Sequence, residues 1–438
     1  MSACPENRSI GSRARDGRLA LRHSALLLAL LCGGWACQQA EPGGERAEVP
    51  QPSPKAGYWN TPRHGANCFN REVSQEWLDA AAQAGIGMVR LAYGKWPSDE
   101  RDFLLGDAGQ YAGLVAADLA RLVETLDAAD ALGIKVVVTP LSLPGARYRQ
   151  FNEGERDGRL WTDPAYTQQA AAFWQDLASE LEGHPAVAAY DLLNEPNPEW
   201  FYGKRSFWDA GFGAWYEQVR GGPGDLNRLH REVAAAIRHV DADTPLIVES
   251  GLYATPWAFE YLDALEDDNV LYSFHMYEPY SYTTHRINDG RFTYPGTVFV
   301  EDAGQEKLFD SEALDAFFDP VRAWAARNRV LPSRIIVGEF GCDRRVAGAR
   351  GYLADLISIF NREGWHWAFY SFREDTWDAM DYELGTGGPG QAYWDAAEAG
   401  SLPANYARIY GRLSENPLWE VFRSALRPAD APPVGETR

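Results

Sequence analysis

Val187-Ala-Ala-Tyr-Asp-Leu-Leu-Asn-Glu-Pro196 is an apolar run of strand length that stops at an ionisable residue, and Ile335-Ile-Val-Gly-Glu-Phe-Gly341 has the same design. A run with little polar alternation suits a strand covered on both faces, as in a parallel sheet wrapped by helices. Read as strands Val187–Leu193 and Arg334–Phe340, the pair has six companions: His64–Phe69, Met88–Tyr93, Lys135–Pro140, Leu246–Glu249, Val270–His275 and Trp365–Phe372. Helical stretches separate them. Between Arg159 and Asn194, Asp163 is placed to cap a helix, Pro164 suits its first position and Gly183 its end. Phe173, Trp174, Leu177 and Leu181 recur there at helical spacing and are expected to pack. Eight strand–helix units predict an α/β fold, a (β/α)8 TIM barrel forming a single catalytic domain over residues 57–427. No G-x-G-x-x-G lies between a strand and a helix and no G-x-x-x-x-G-K-[ST] occurs, which disfavours a nucleotide-binding sheet.

In such a barrel the reactive groups stand at the C-terminal strand ends. Those ends deliver Arg90 from the second strand, Asn194 and Glu195 from the fourth, His275 and Tyr277 from the sixth, and Glu339 from the seventh. The eighth carries Trp365, Trp367 and Tyr370. An ionised carboxylate closing an apolar strand is costly to bury unless it is paired. Either glutamate alone suits a structural ion pair; both together, among these neighbours, point to a reactive site. Glu195 and Glu339 are the candidate catalytic pair. Arg90, Asn194, His275, Tyr277, Trp96, Trp367 and Tyr370 are the candidate substrate-binding residues. The aromatic stretch from Trp200 to Gly222 follows directly, with Phe201, Tyr202, Phe207, Trp208, Phe212, Trp215 and Tyr216. It is either a wall of the cleft or a small subdomain packed on itself.

The strings LLNEPNP, HMYEP and IIVGEFG, in this order, resemble the catalytic motifs of glycoside hydrolase family 5, the cellulase-like family. YEPYSYTTH, followed by YPG at Tyr294–Gly296, resembles the segment after strand six in its endoglucanase-type members. The resemblance covers about Tyr58 to Leu426. It implies a retaining cleavage of O-glycosidic bonds in a β-linked glycan, with Glu195 as acid/base and Glu339 as nucleophile. It further implies that Arg90 and Tyr277 hold Glu339 as a carboxylate and that Asn194 meets the sugar 2-hydroxyl. Two positions depart from the family pattern: Leu141 stands where a histidine is usual after strand three, and Tyr370 where a tryptophan floors the central subsite. A β-mannanase, a glycoconjugate-directed hydrolase or a transglycosylase would use the same residues. A non-catalytic glycan-binding lipoprotein would not need both glutamates.

The remaining composition sets limits. A net charge of −21 excludes the basic footprint that nucleic acid requires. No H-E-x-x-H, C-x-x-C or EF-hand loop occurs, so no metal and no cofactor are expected, and G-x-S-x-G is absent too. At the N-terminus, Arg8 to Arg22 precede the apolar run Ala25–Leu31 and the small residues before Cys37, which reads residues 1–37 as an export signal. Gly34-Trp35-Ala36-Cys37 loosely resembles a lipobox, so lipid attachment at Cys37 and simple cleavage both fit. Residues 38–56 read as a flexible tether and 428–438 as a disordered tail. An exported, extracellular, periplasmic or envelope-attached monomer acting on oligo- or polysaccharide is the expectation. Cys68 and Cys342 are left as an even pair whose bridging depends on geometry.

Overall fold

The computed structural model describes residues 54–206, 209–300, 304–375, 377–386 and 416–426. The export-type segment, nearly all of the tether and the tail lie outside them. Eight strands close a parallel barrel: β1 (His64–Cys68), β2 (Met88–Ala92), β3 (Lys135–Thr139), β4 (Val187–Asp191), β5 (Leu246–Glu249), β6 (Val270–Met276), β9 (Ile335–Phe340) and β10 (His366–Phe369). The ring shuts where β10 pairs with β1, His64 opposite Trp367. A hairpin of β7 (Gly296–Val300) and β8 (Gln305–Phe309) interrupts the β6–β9 connection. It has no counterpart in the expected strand order, and of β7 only the alternate residues Val298 and Val300 are buried.

Successive strand residues face opposite sides, and this period of two builds the interior in layers. Met88, Val137, Ala189, Ile247, Leu271, Ile336 and Ala368 point inward near the strand starts and pack around Trp59, whose indole donates to the Ala188 carbonyl at 3.0 Å. This apolar floor is separate from the larger core between strands and helices. Two residues further along β2, β3, β4 and β5, the same inward face carries Arg90, Thr139, Asp191 and Glu249. On β6, Ser273 and His275 follow Leu271 in the same parity. Polar groups thus form a second layer directly above a dry one.

The β6–β9 pairing slips by one residue, so that Phe274 faces Val337 but His275 faces Glu339. The extra residue is Gly338. Such a bulge turns two consecutive residues to one side, and here it aims Glu339 at the interior. Outside the barrel the helix Pro164–Leu181 starts where the sequence places it: the Asp163 carboxylate accepts from Ala165 N, and Phe173, Trp174, Leu177 and Leu181 are buried.

The aromatic stretch after β4 packs against the connection after β5. Phe212, Trp215 and Tyr216, on the helix Phe212–Val219, form a compact cluster with Leu252 and Ala258. The guanidiniums of Arg156 and Arg205 cover the Trp200 ring. Phe207 and Trp208 lie outside the described residues.

Candidate active site

Arg90 is the hub of the polar layer. Its Nε donates to Asp191 Oδ2 (2.8 Å), Nη1 to Glu339 Oε1 (2.7 Å) and Asn67 Oδ1 (3.1 Å), and Nη2 to Asn194 Oδ1 and Glu249 Oε1 (both 2.8 Å). All five donor hydrogens of a guanidinium are thereby engaged. Asn67 in turn donates to the Gly338 carbonyl at 2.9 Å, fixing the bulge. The second Glu339 oxygen accepts from the Tyr277 hydroxyl at 2.7 Å. His275 Nδ1 lies 3.0 Å from Glu195 Oε1. The reactive atoms of Glu195, His275 and Glu339 all fall within 4.8 Å of one another. Three such ligands resemble a metal site, but both Glu339 oxygens and His275 Nδ1 already have partners within the group.

One guanidinium cannot neutralise three buried carboxylates. Burial, and then the charge of Glu249, push the Asp191 carboxyl up to about 7. Its Oδ1 has no donor, which suits a carboxyl that carries a proton. Glu249 goes the other way: burial opposes its charge, but His275 and Arg90 outweigh that and hold it near 2. The Glu195 carboxyl is raised, by burial first, with Glu339 adding to the effect and the His275 hydrogen bond opposing it. Burial also disfavours a charged His275, yet Glu249 and Glu339 carry its ring to about 10.

The sequence-based assignments separate cleanly at this point. Arg90, Asn194, Glu195, His275, Tyr277 and Glu339 converge. Tyr370 is buried at the edge of the group, against Phe69, with its hydroxyl raised by burial and by the nearby Glu374 and Glu339 charges. Trp96 and Trp367 do not belong. Trp367 is wholly buried on the outer face of β10, stacked on His64, with its indole donating to Asn361. Trp96 is buried against Phe103 beneath the Arg121 guanidinium and offers no open face to a sugar. Leu141 is buried close beside Gly94. Cys68 and Cys342 are buried free thiols and do not bridge.

Sequence reading missed Glu249, Asn67 and Tyr148, the last raised by burial and by Glu195 and Glu339 beside it. It missed as well how the connections after β4 and β5 are laced. Glu195 N donates to Glu249 Oε2 (2.6 Å), Tyr253 N to the Pro196 carbonyl (3.2 Å) and Leu252 N to Glu199 Oε2 (3.2 Å). Leu252, Tyr253 and Ala254 are all left-handed, a sparsely populated state that persists only where surroundings enforce it.

The cellulase model of glycosyl hydrolase family 5 matches residues 54–376, the span that contains every residue of this group. The chain belongs to that family. Among curated relatives, endoglucanase C of Acetivibrio thermocellus is 23% identical over 215 residues, 49% of this chain and 53% of its own. Cellodextrinase A of Ruminococcus flavefaciens is 23% identical over 213 residues, 48% of this chain and 53% of its own. The chain thus spans about half the length of the curated relatives it matches. Endoglucanase Cel5A of Thermotoga maritima has the same fold, with a TM-score of 0.53 and 18% identity over 73% of this chain and 91% of that one. The same Cel5A has also been solved with a mannotriose substrate (TM-score 0.52, 18% identity, 75% and 94% covered).

In this family 5 site Gly338 has no room for a side chain. A Cβ there would fall 2.6 Å from Ser273 Oγ and 3.0 Å from His275 Nε2. Gly338→Ala is expected to push His275 off Glu195 and to lower activity at least about tenfold, or roughly 1.4 kcal/mol of barrier. Rates on a soluble glycan, set beside a melting curve, check this; unchanged rates would mean that the bulge tolerates a methyl group.

Proposed function

We propose that this family 5 chain is a retaining hydrolase of β-linked glycans, with Glu195 as acid/base and Glu339 as nucleophile. The observation that carries the reading is the approach of the two carboxyls, whose nearest reactive atoms are within 4.8 Å. Retaining enzymes keep the pair about 5–5.5 Å apart, whereas inverting ones leave room for water at about 6.5–9.5 Å. In the first step Glu195 gives its proton to the glycosidic oxygen, the bond from that oxygen to C1 breaks, and a Glu339 oxygen bonds to C1. In the second, water attacks C1, Glu195 takes its proton and Glu339 leaves as a carboxylate.

The surroundings suit these roles. Arg90 and Tyr277 each bond one oxygen of Glu339, which keeps it charged and aimed. Burial raises the Glu195 carboxyl, the direction that favours the protonated form an acid needs. Asn194 gives its carbonyl oxygen to Arg90, which leaves its amide nitrogen to donate to the sugar 2-hydroxyl. Tyr370 provides the floor. The export-type N-terminus supports an activity outside the cytoplasm, which the N-terminal residue of protein recovered from the native envelope would test.

The names endoglucanase and cellodextrinase among the relatives support a β-glucan substrate, and the mannotriose complex of Cel5A supports a mannan as the second candidate. Tyr370 has a smaller stacking face than an indole and adds a hydroxyl. We therefore expect unsubstituted cellulose derivatives to be cleaved more slowly than mixed-linkage glucan, mannan or a glycolipid. Values of kcat/KM across that panel, with product masses, test both levels. Fastest cleavage of plain β-1,4-glucan would defeat the ranking, and no cleavage of any β-glycan would defeat the proposal.

A further inference from the structure

We propose that Glu249, at the end of β5, is a positioning residue for the acid/base: its carboxylate fixes the backbone of Glu195 and the ring of His275 in the arrangement through which Glu195 exchanges its proton. This rests on the assignment of Glu195 above. Three donors converge on the Glu249 carboxylate. Oε2 accepts from Glu195 N at 2.6 Å, and Oε1 accepts from Arg90 Nη2 at 2.8 Å. Oε1 also lies 3.1 Å from His275 Nε2, an ionic contact too oblique for a full hydrogen bond. Only an ionised carboxylate meets three donors at once.

The two halves of this grip do different things. Glu195 has φ +48°, a conformation that residues other than glycine enter rarely. Its amide, held by a side chain from the next strand, cannot swing away, so the acid cannot relax out of line. His275 is held by its other side. With Nε2 and its proton turned to Glu249, Nδ1 is the atom left facing Glu195 Oε1 at 3.0 Å. With the ring cationic, Nδ1 donates to Glu195 Oε1 in both steps, which leaves Oε2 as the oxygen that exchanges the proton.

A purely structural partner for Arg90 would not explain this arrangement. Arg90 already has Asp191 and Glu339, and the second oxygen of Glu249 goes to the acid's own amide. The ionisable groups facing Glu249 and His275 are Arg90 from β2, Asp191 from β4, Glu195 beyond it, Glu339 from β9 and His230 from the helix Leu226–Val240. Burial pushes His230 down to about 4, so it stays neutral, and Glu249 remains charged across the neutral range.

The test compares wild type, Glu195→Ala and Glu249→Gln on two substrates. One is an unactivated oligosaccharide; the other is a 2,4-dinitrophenyl β-glycoside, whose leaving group needs no proton. Glu249→Gln is expected to lower kcat on the first about 10- to 100-fold, part of what a positioned acid supplies. Glycosyl-enzyme formation from the second should fall less than about threefold on the same ground. Nitrogen-15 resonances of the His275 ring should show its titration moved to lower pH and its Nε2 proton no longer fixed. Equal losses on both substrates with His275 unchanged, or no loss at all, would overturn the proposal. Should Glu249→Gln fail to fold by its melting curve, Glu249→Asp keeps the charge and withdraws it by one methylene. It should show the same split between substrates, and its absence would overturn the proposal equally. Wild type inactive on both substrates would instead remove the glycosidase reading, while the His275 resonances still report whether Glu249 holds the ring.

Discussion

Glu339→Ala should turn over an unactivated β-glycan at least about 10⁴-fold more slowly than wild type, a loss of more than about 5 kcal/mol of transition-state stabilisation. Without that carboxylate no covalent intermediate forms, and the alanine leaves a gap lined by Arg90 and Tyr277. Azide is small and anionic, so it fits a gap beside a guanidinium. Attacking C1 in place of Glu339, it should restore part of the rate and yield an α-glycosyl azide from a β-glycoside. Glu195→Ala should differ in kind. On a poor leaving group the loss should be about 10²–10⁴-fold, the range for a positioned general acid. On a leaving group that departs unprotonated, glycosylation should survive. Azide then replaces water in the second step, where it needs no base, and the product should be the β-azide. The anomeric configuration of the azide, read by proton NMR, therefore separates the roles. The same anomer from both variants, or near wild-type rates in either, would show the assignment to be wrong.

Arg90→Met is expected to be the most destabilising single change in the barrel interior. Methionine roughly follows the shape of the arginine stem, so packing changes little, but Asp191, Glu249 and Glu339 lose their shared counter-charge. Removing one partner of a buried ion pair costs about 3–5 kcal/mol, and here three carboxylates share the removed partner. The pH dependence has a definite sign. Without Arg90, the folded-state pKa of Asp191 moves further above the unfolded value of about 4, and that of Glu249 loses the guanidinium that helps hold it below. Folding then binds protons, so the variant gains stability as pH falls and loses it as pH rises through the neutral range. The melting deficit relative to wild type should be larger at pH 8 than at pH 5, and activity should be absent at both. A deficit independent of pH would mean that the cost is packing rather than charge.

The strands were legible because a parallel barrel buries both faces of each one, which leaves apolar runs that polar loops cannot imitate. The same property exposed Arg90, Asn194, Glu195, His275, Tyr277 and Glu339 as polar residues where strands end. Glu249 obeys that rule too, closing Leu246-Ile247-Val248, but the Ser250-Gly251-Leu252 that follows has none of the motif residues that mark Glu195 and Glu339. Trp96 and Trp367 show the limit of residue type as a guide. Ala368 points into the barrel, so parity sends Trp367 outward, and no aromatic count reveals parity. The slip at Gly338 was equally hidden: Ile336 faces inward, strict alternation would send Glu339 out, and only the pairing with β6 shows the extra residue. The β7–β8 hairpin lay in a connection whose two short strands pair only with each other.

The bonds from Glu195 to Glu249, from Leu252 to Glu199 and from Tyr253 to Pro196 tie two neighbouring connections into one body. Substrate range in a barrel is commonly altered by exchanging the segments above single strands, each treated as a replaceable part. Here the segment after β4 and the segment after β5 are not separate parts. A transplant of either alone would strand the carboxylate or amide left on its neighbour and release the left-handed residues Leu252–Ala254 from what holds them. Recombination between relatives should then keep the two together, with viable crossover points before Val187 or after Ala258 but not between Glu195 and Leu252.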